Sequence, residues 1–173
     1  ETNVVLNAPV APVSTTVNSS AKTYSITSSG ANKIGGSGSF TKSGSSTLTL
    51  AGGVNNYSGA TVLSGGTVSV GVLANGGVAS DIGAASSAAT GLVLDSGTLQ
   101  YTGAGASSDR LFSLTTGGGS ISAAGSGALT LNNAGAVALS GSGARVLTLA
   151  GTSADANTLA ASLADSGGAT ASQ

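Results

Sequence analysis

From Tyr24 onward apolar and polar residues alternate in short runs, each ended by Gly, Asn or Ser. Thr47-Leu48-Thr49-Leu50 and Thr67-Val68-Ser69-Val70 carry the period of two expected of half-buried strands. No sustained helical period competes with it. A turn of helix near Ala84 and a short helix over Asn157–Asp165, where Leu159 and Leu163 share a helical face, are the two local exceptions; the second stretch could equally close another strand-bearing turn. Two prolines, Pro9 and Pro12, argue against a helix or central strand near the start.

The runs repeat. One frame consists of Phe40, Gly44, Leu48-Thr49-Leu50 and Gly52. It returns in the same internal spacing as Ile121, Gly125 and Leu129-Thr130-Leu131. It returns again, directly after, as Leu139, Gly143 and Leu147-Thr148-Leu149, closed by Gly151. A second match links Val62-Leu63, Gly66-Thr67-Val68 and Val70 to Val93-Leu94, Gly97-Thr98-Leu99 and Tyr101. Short strands separated by Gly, Asn and Ser turns leave a sandwich, a propeller or a β-solenoid. The interval between the last two frames, from Leu131 to Leu149, matches one coil of a solenoid better than a propeller blade of ~40–50 residues. The fold class expected is therefore all-β, a solenoid of stacked parallel strands, with a β-sandwich as the alternative. Roughly seven to nine rungs at ~4.8 Å would make a rod of ~35–45 Å.

The expected organisation is an edge or capping segment at 1–23, rungs over 24–167 and a tail at 168–173. Within the rungs lie the repeat region at about 38–71, a looser loop extruded at 72–90, and further rungs at 92–151. Leu48 and Leu50 face inward in this reading, Thr47 and Thr49 outward, and glycines turn the corners.

Composition changes the picture mainly by exclusion. Charged residues are 6% of the chain and the net charge is −1, which offers no field for nucleic acid or anionic lipid. Twenty-nine glycines raise the possibility of disorder, but the alternation of Leu, Ile and Val with Ser and Thr weighs against it. Cysteine is absent, so there is no disulfide framework or thiolate metal site. No apolar run approaches the ~18–20 residues of a membrane span. The chain opens at Glu1 without the basic and apolar regions of a signal peptide, leaving either its removal or its absence as readings.

The absence of histidine and cysteine also rules out Ser-His-Asp and Cys-His nucleophiles. The acids are Glu1, Asp81, Asp95, Asp109, Asp155 and Asp165. Asp81 and Asp95 could approach in adjacent rungs as a glycosidase pair, but each is flanked by turn residues, where Asp usually serves Asx hydrogen bonding. The calcium-binding nonapeptide is missing. Gly36-Ser37-Gly38 and Gly103-Ala104-Gly105 lack the rest of a phosphate loop. Thr47 and Thr49 resemble the Thr arrays of ice-binding solenoids, yet along the sequence the pattern continues only as Thr130 and Thr148. Asn55-Asn56 suggests a corner amide ladder. Asp109-Arg110 and Arg145 read as surface charges, and Tyr57 and Tyr101 as either exposed platforms for sugar stacking or caps of a coil. No catalytic, cofactor-binding or metal-binding residue is predicted.

The stretch Phe40-Thr41-Lys42-Ser43-Gly44-Ser45-Ser46-Thr47-Leu48-Thr49-Leu50-Ala51-Gly52, with Asn55-Asn56-Tyr57-Ser58-Gly59-Ala60-Thr61-Val62 and Gly65-Gly66-Thr67-Val68, resembles the passenger-associated transport repeat of bacterial autotransporters. Ser46 replaces a glycine of that motif, Asn56 the Thr before Tyr, and Phe40 the leading Leu. Leu92–Gly167 resembles the linking segments of the same proteins more loosely. The resemblance implies a right-handed parallel β-helix within a secreted or surface-displayed passenger of a Gram-negative bacterium. Its export partner would be a C-terminal outer-membrane barrel of the same precursor, which is not visible in this chain; the chain would then be a fragment or a processed segment. The function expected is that of a structural spacer that supports export and folding and projects an effector region. The alternatives are an adhesin contacting host glycan or matrix or associating with itself, and a self-assembling surface fibre. No enzyme activity is expected.

Overall fold

The computed structural model describes residues 2–164. Its sixteen strands, numbered in chain order, form three parallel sheets that wall a β-solenoid. The first face has seven strands in the order β1 (Thr2–Val5), β3 (Tyr24–Thr27), β5 (Thr47–Ala51), β7 (Thr67–Val70), β9 (Thr98–Tyr101), β12 (Gly119–Ala123) and β15 (Leu147–Gly151). The second has six: β2 (Ser14–Asn18), β4 (Ser39–Ser43), β6 (Thr61–Leu63), β8 (Leu92–Leu94), β11 (Ser113–Leu114) and β14 (Ala138–Leu139). The third face becomes a sheet only in the C-terminal half, where β10 (Ala104–Ser108), β13 (Gly127–Leu131) and β16 (Thr158–Leu159) pair. A single 3-10 turn, Ala89–Gly91, interrupts the strands. Both the all-β class and the stacked solenoid are as expected, and the sandwich alternative falls away because every named strand pair is parallel.

Register explains the core. Alternate side chains of a strand share a face, so parallel in-register stacking lines them up in columns. On the first face Leu48, Val68, Leu99 and Ile121 form one inward column, and Leu50, Val70, Tyr101 and Ala123 a second. All eight are buried. Each fully buried Leu or Val contributes about 1.5–3 kcal/mol relative to exposure, and no rung could bury its own side chains without the next. On the second face Phe40 stacks on Tyr57, with ring centroids 5.8 Å apart.

The interval between the last two frames is not the length of a coil. On the first face Tyr24 lies under Leu48, Thr47 under Thr67, and Gly119 under Leu147. Each of those coils is longer than the stretch from Leu131 to Leu149, and no two of them are equal. The second internal match does measure a true coil, because Val62 pairs with Val93 and Thr67 with Thr98. The three copies of the frame do not share one corner: Phe40 to Leu50 and Leu139 to Leu149 run from the second face to the first, but Ile121 to Leu131 runs from the first to the third. The frame thus encodes an apolar strand, a glycine corner and another apolar strand, and any corner of the coil can use it. Its closing glycine is required sterically. Gly52 has φ +106, and a Cβ there would lie 1.8 Å from the Ser28 carbonyl oxygen. Gly151, in the same place in the third copy, has φ +138, and a Cβ would lie 1.9 Å from the Ala123 oxygen.

Residues 1–23 supply β1 and β2, which pair on one side only as the terminal strands of their sheets; both prolines lie between them. Over 157–164 the chain forms β16 rather than a helix, with Leu159 beside Leu131. Asp165 and the tail at 168–173 lie outside the described residues, as does Glu1.

Candidate functional site

The most chemically distinctive part of the described chain is residues 72–90, which contain no strand. This segment packs against the core instead of standing off it as an extruded loop: Leu73, Ile82 and Ala85 are buried. Two buried charges tie it to the coils on either side.

Asp81 anchors it to the preceding coil. Its carboxylate accepts from the backbone N–H of Gly53 at 2.7 Å, of Gly71 at 2.9 Å and of Val72 at 2.8 Å. Burial pushes the carboxyl above its ordinary value, while the amides of Val72, Gly53 and Gly71 pull the other way. Asn55 extends this anchor across three coils: its Oδ1 accepts from Ile34 N–H at 3.0 Å and its Nδ2 donates to the Asp81 carbonyl at 3.1 Å. No amide ladder with Asn56 forms, because both ends of the Asn55 side chain serve backbone groups of neighbouring coils. Tyr57 hydroxyl and Thr61 Oγ1 are 2.8 Å apart, and Thr61 donates to the Ile82 carbonyl.

Arg110 holds the segment from the following coil. It is 3% exposed and is therefore not the surface charge expected. Its Nε donates to Ala74 O, Nη1 to Ala85 O, and Nη2 to the carbonyls of Asn75, Val78 and Gly83, all at 2.9–3.3 Å. A rigid guanidinium fork suits such a converging set of oxygens, and the carbonyls compensate its burial without a carboxylate. Half-buried Asp109 adds a reciprocal clasp: its Oδ1 accepts from Gly76 N–H at 2.7 Å, and its own N–H donates to Asn75 Oδ1 at 3.0 Å.

The sequence reading missed these roles, although a signal was available for the cations. Arg110 is two positions before buried Phe112, and buried Lys42 is two after buried Phe40. Alternate positions in extended chain share a face, so both cations point inward with their Phe neighbours. Lys42 Nζ caps the corner by donating to the carbonyls of Ser43 at 2.7 Å and Gly44 at 2.8 Å. No local pattern marks Asp81, whose three donors come from two separate stretches of the chain.

The remaining candidates are structural. Tyr57 and Tyr101 are both 1% exposed and cannot act as sugar platforms; the Tyr101 hydroxyl accepts from Gly105 N–H at 2.9 Å. Asp95 pairs with the Thr115 hydroxyl and shares no partner with Asp81. Half-buried Arg145 donates to the carbonyls of Ser140 and Gly141. Among the described residues, no three His, Cys, Asp or Glu side chains come together. The hydroxyl array extends further than the sequence suggested: Thr47, Thr67, Thr98, Ser120 and Thr148 form one outward column of the first face, whereas in the next, Gln100 separates Ser69 from Ser122 and both serines are buried. Thr130 belongs to the third face and not to this array. Apolar hollows occur at the two ends of the solenoid, one beside Val4, Val17 and Ile26, and another beside Leu129, Leu149 and Leu159.

Known proteins share part of this sequence. Residues 40–70, from inward Phe40 through β4, β5 and β6 to the end of β7, match the family model of the passenger-associated transport repeat. The chain carries a passenger-associated transport repeat. The repeat therefore covers about one and a half coils, with its glycine corners and its two apolar faces. Over 97 residues the chain is 40% identical to the adhesin BmaC autotransporter of Brucella suis biovar 1 (strain 1330), which amounts to 56% of this chain and 3% of that protein. The chain thus spans a small part of the relative's length. No solved structure matches it.

Proposed function

We propose that this chain is a structural β-helical segment of an autotransporter passenger, displayed at the surface of a Gram-negative bacterium or secreted from it. In this reading it spaces an effector region from the cell and supplies folding drive outside it. The observation that carries the reading is continuous parallel stacking along the described chain, with the transport-type repeat built into the wall. A column of this kind gains stability rung by rung, so added coils lengthen the rod and extend the apolar interior together. The export partner is a C-terminal barrel of the same precursor, and no catalytic role is assigned.

A second reading, that the segment itself is adhesive, is supported by the name of the Brucella relative. Deletions in the parent polypeptide separate the two. Removing residues 120–147 takes out a whole coil, because Thr148 then occupies the register position of Ser120. A spacer tolerates this, with surface display and binding of cells to matrix and glycan both retained. Loss of binding with display retained supports the adhesin instead. Loss of display after the coil deletion, at the level seen after the out-of-register deletion 130–147, overturns the modular spacer.

A further inference from the structure

Residues 72–90 are held from two directions, and the two sets of ties are different in kind. Toward the preceding coil, Asp81, Asn55 and the Tyr57 carbonyl hold the stretch Ser80–Ala84. Toward the following coil, residues 74–78 are held by side chains that arrive only when the chain has passed once more around the solenoid: Ser108 on Ala74 O, Asp109 on Gly76 N–H, and Arg110 on Ala74, Asn75 and Val78. Gly77 and Val78 have only local backbone bonds of their own, to Ala85 O and Asn75 O, and those same oxygens accept from Arg110. Val78 is exposed and Gly77 has φ +79 with open space around it, so little else fixes this tip.

We propose that residues 72–90 form a strap whose distal part, 74–78, closes only when the next coil has folded, with Arg110 as its pin. The strap also meets the C-terminal end of β10, the terminal strand of the third sheet, where Ser108 donates to the Ala74 carbonyl. Closure therefore couples completion of one coil to fixing the end of the strand where the third sheet begins. The guanidinium is needed for its shape as well as its charge, since it reaches five carbonyls that point from different parts of the strap.

Native-state hydrogen exchange on the full chain tests this, with Arg110→Ala, Arg110→Lys and Asp109→Ala. In Arg110→Ala the amides of Gly76, Gly77 and Val78 lose protection by about tenfold or more, while Ala84 and the sheet amides of Val68 and Leu99 keep theirs. Lysine restores only part of the protection because it cannot fork. Asp109→Ala raises exchange at Gly76 alone and leaves the solenoid folded. Unchanged protection at 76–78 in Arg110→Ala overturns the proposal, as does a uniform loss across strap and sheets. If Arg110→Ala does not fold, Asp109→Ala decides: unchanged exchange at Gly76 rejects the strap, and a local rise there upholds it.

Discussion

Replacing Asp81 with Ala tests the buried anchor quantitatively. The substitution leaves the N–H groups of Gly53, Gly71 and Val72 without their acceptor, breaking bonds of 2.7, 2.9 and 2.8 Å. A hydrogen bond to a charged group is worth about 1.5–3 kcal/mol net, so three summed naively give roughly 5–9 kcal/mol. Two effects reduce that figure: the variant no longer buries a carboxylate, and water can enter to meet donors that are only partly buried. The expected loss is about 3 kcal/mol, equivalent to a fall in Tm of roughly 6–12 °C for a chain of this size. Urea unfolding followed by circular dichroism, with m-values compared between variants, measures it. The pH dependence supplies an independent sign. Burial raises the native carboxyl, so as pH climbs from the ordinary value of 3.8 the unfolded chain releases its proton first. Wild-type stability therefore declines with rising pH from 3.8 to the raised native value, and Asp81→Ala lacks that component. A loss below about 1 kcal/mol would refute the view that Asp81 holds these three amides.

Other positions give contrasting expectations. Gly52→Ala forces a Cβ against the Ser28 carbonyl at φ +106, whereas Gly77→Ala at φ +79 meets nothing within 4 Å; the first costs well over ~2 kcal/mol or prevents folding, the second only the ~1–2 kcal/mol of left-handed backbone, as denaturant midpoints will show. Phe40→Ala removes a fully buried ring stacked on Tyr57 and costs about 3–5 kcal/mol in the same assay. Lys42→Met exchanges two carbonyl bonds for relief from burying an ammonium, and changes stability near neutral pH by no more than about 1 kcal/mol. Burial lowers the Lys42 ammonium, so wild-type stability rises with pH from that lowered value toward 10.5, a component that Lys42→Met removes.

Strand alternation was legible from sequence because it depends on neighbours: Leu48 and Leu50 are buried, and Thr47 and Thr49 face outward. Coil length was not. A glycine corner between apolar strands looks the same at any corner of the solenoid, so the spacing of Leu129 and Leu147 measures a change of face. The match from Thr67 to Thr98 succeeded because its strands carry the same inward pattern on both the first and second faces. The partners of the buried charges were hidden for another reason, although spacing to Phe40 and Phe112 marked Lys42 and Arg110 as inward. Arg110 and Asp81 are satisfied by backbone groups, which have no residue-type signature, and the Arg110 partners and the Gly53 donor to Asp81 lie a coil away along the chain. Between platform and coil cap the sequence left Tyr57 and Tyr101 undecided, because the size of a coil interior cannot be read from composition; Tyr101 fits beside the small Ala123 of the next coil.

Cysteine pairs test the topology most directly, because the chain has no cysteine of its own. Thr67 and Thr98 are register partners on the outer side of β7 and β9, and neighbouring strands lie about 4.8 Å apart, within the span of a disulfide. Thr130 and Thr148, equivalent positions in the second and third copies of the frame, stand on the third and first faces. Under mild oxidation, Thr67→Cys with Thr98→Cys should crosslink rapidly in the folded protein, and Thr130→Cys with Thr148→Cys should remain reduced. Rapid crosslinking of the second pair and not the first would contradict the coil register on which the whole account stands.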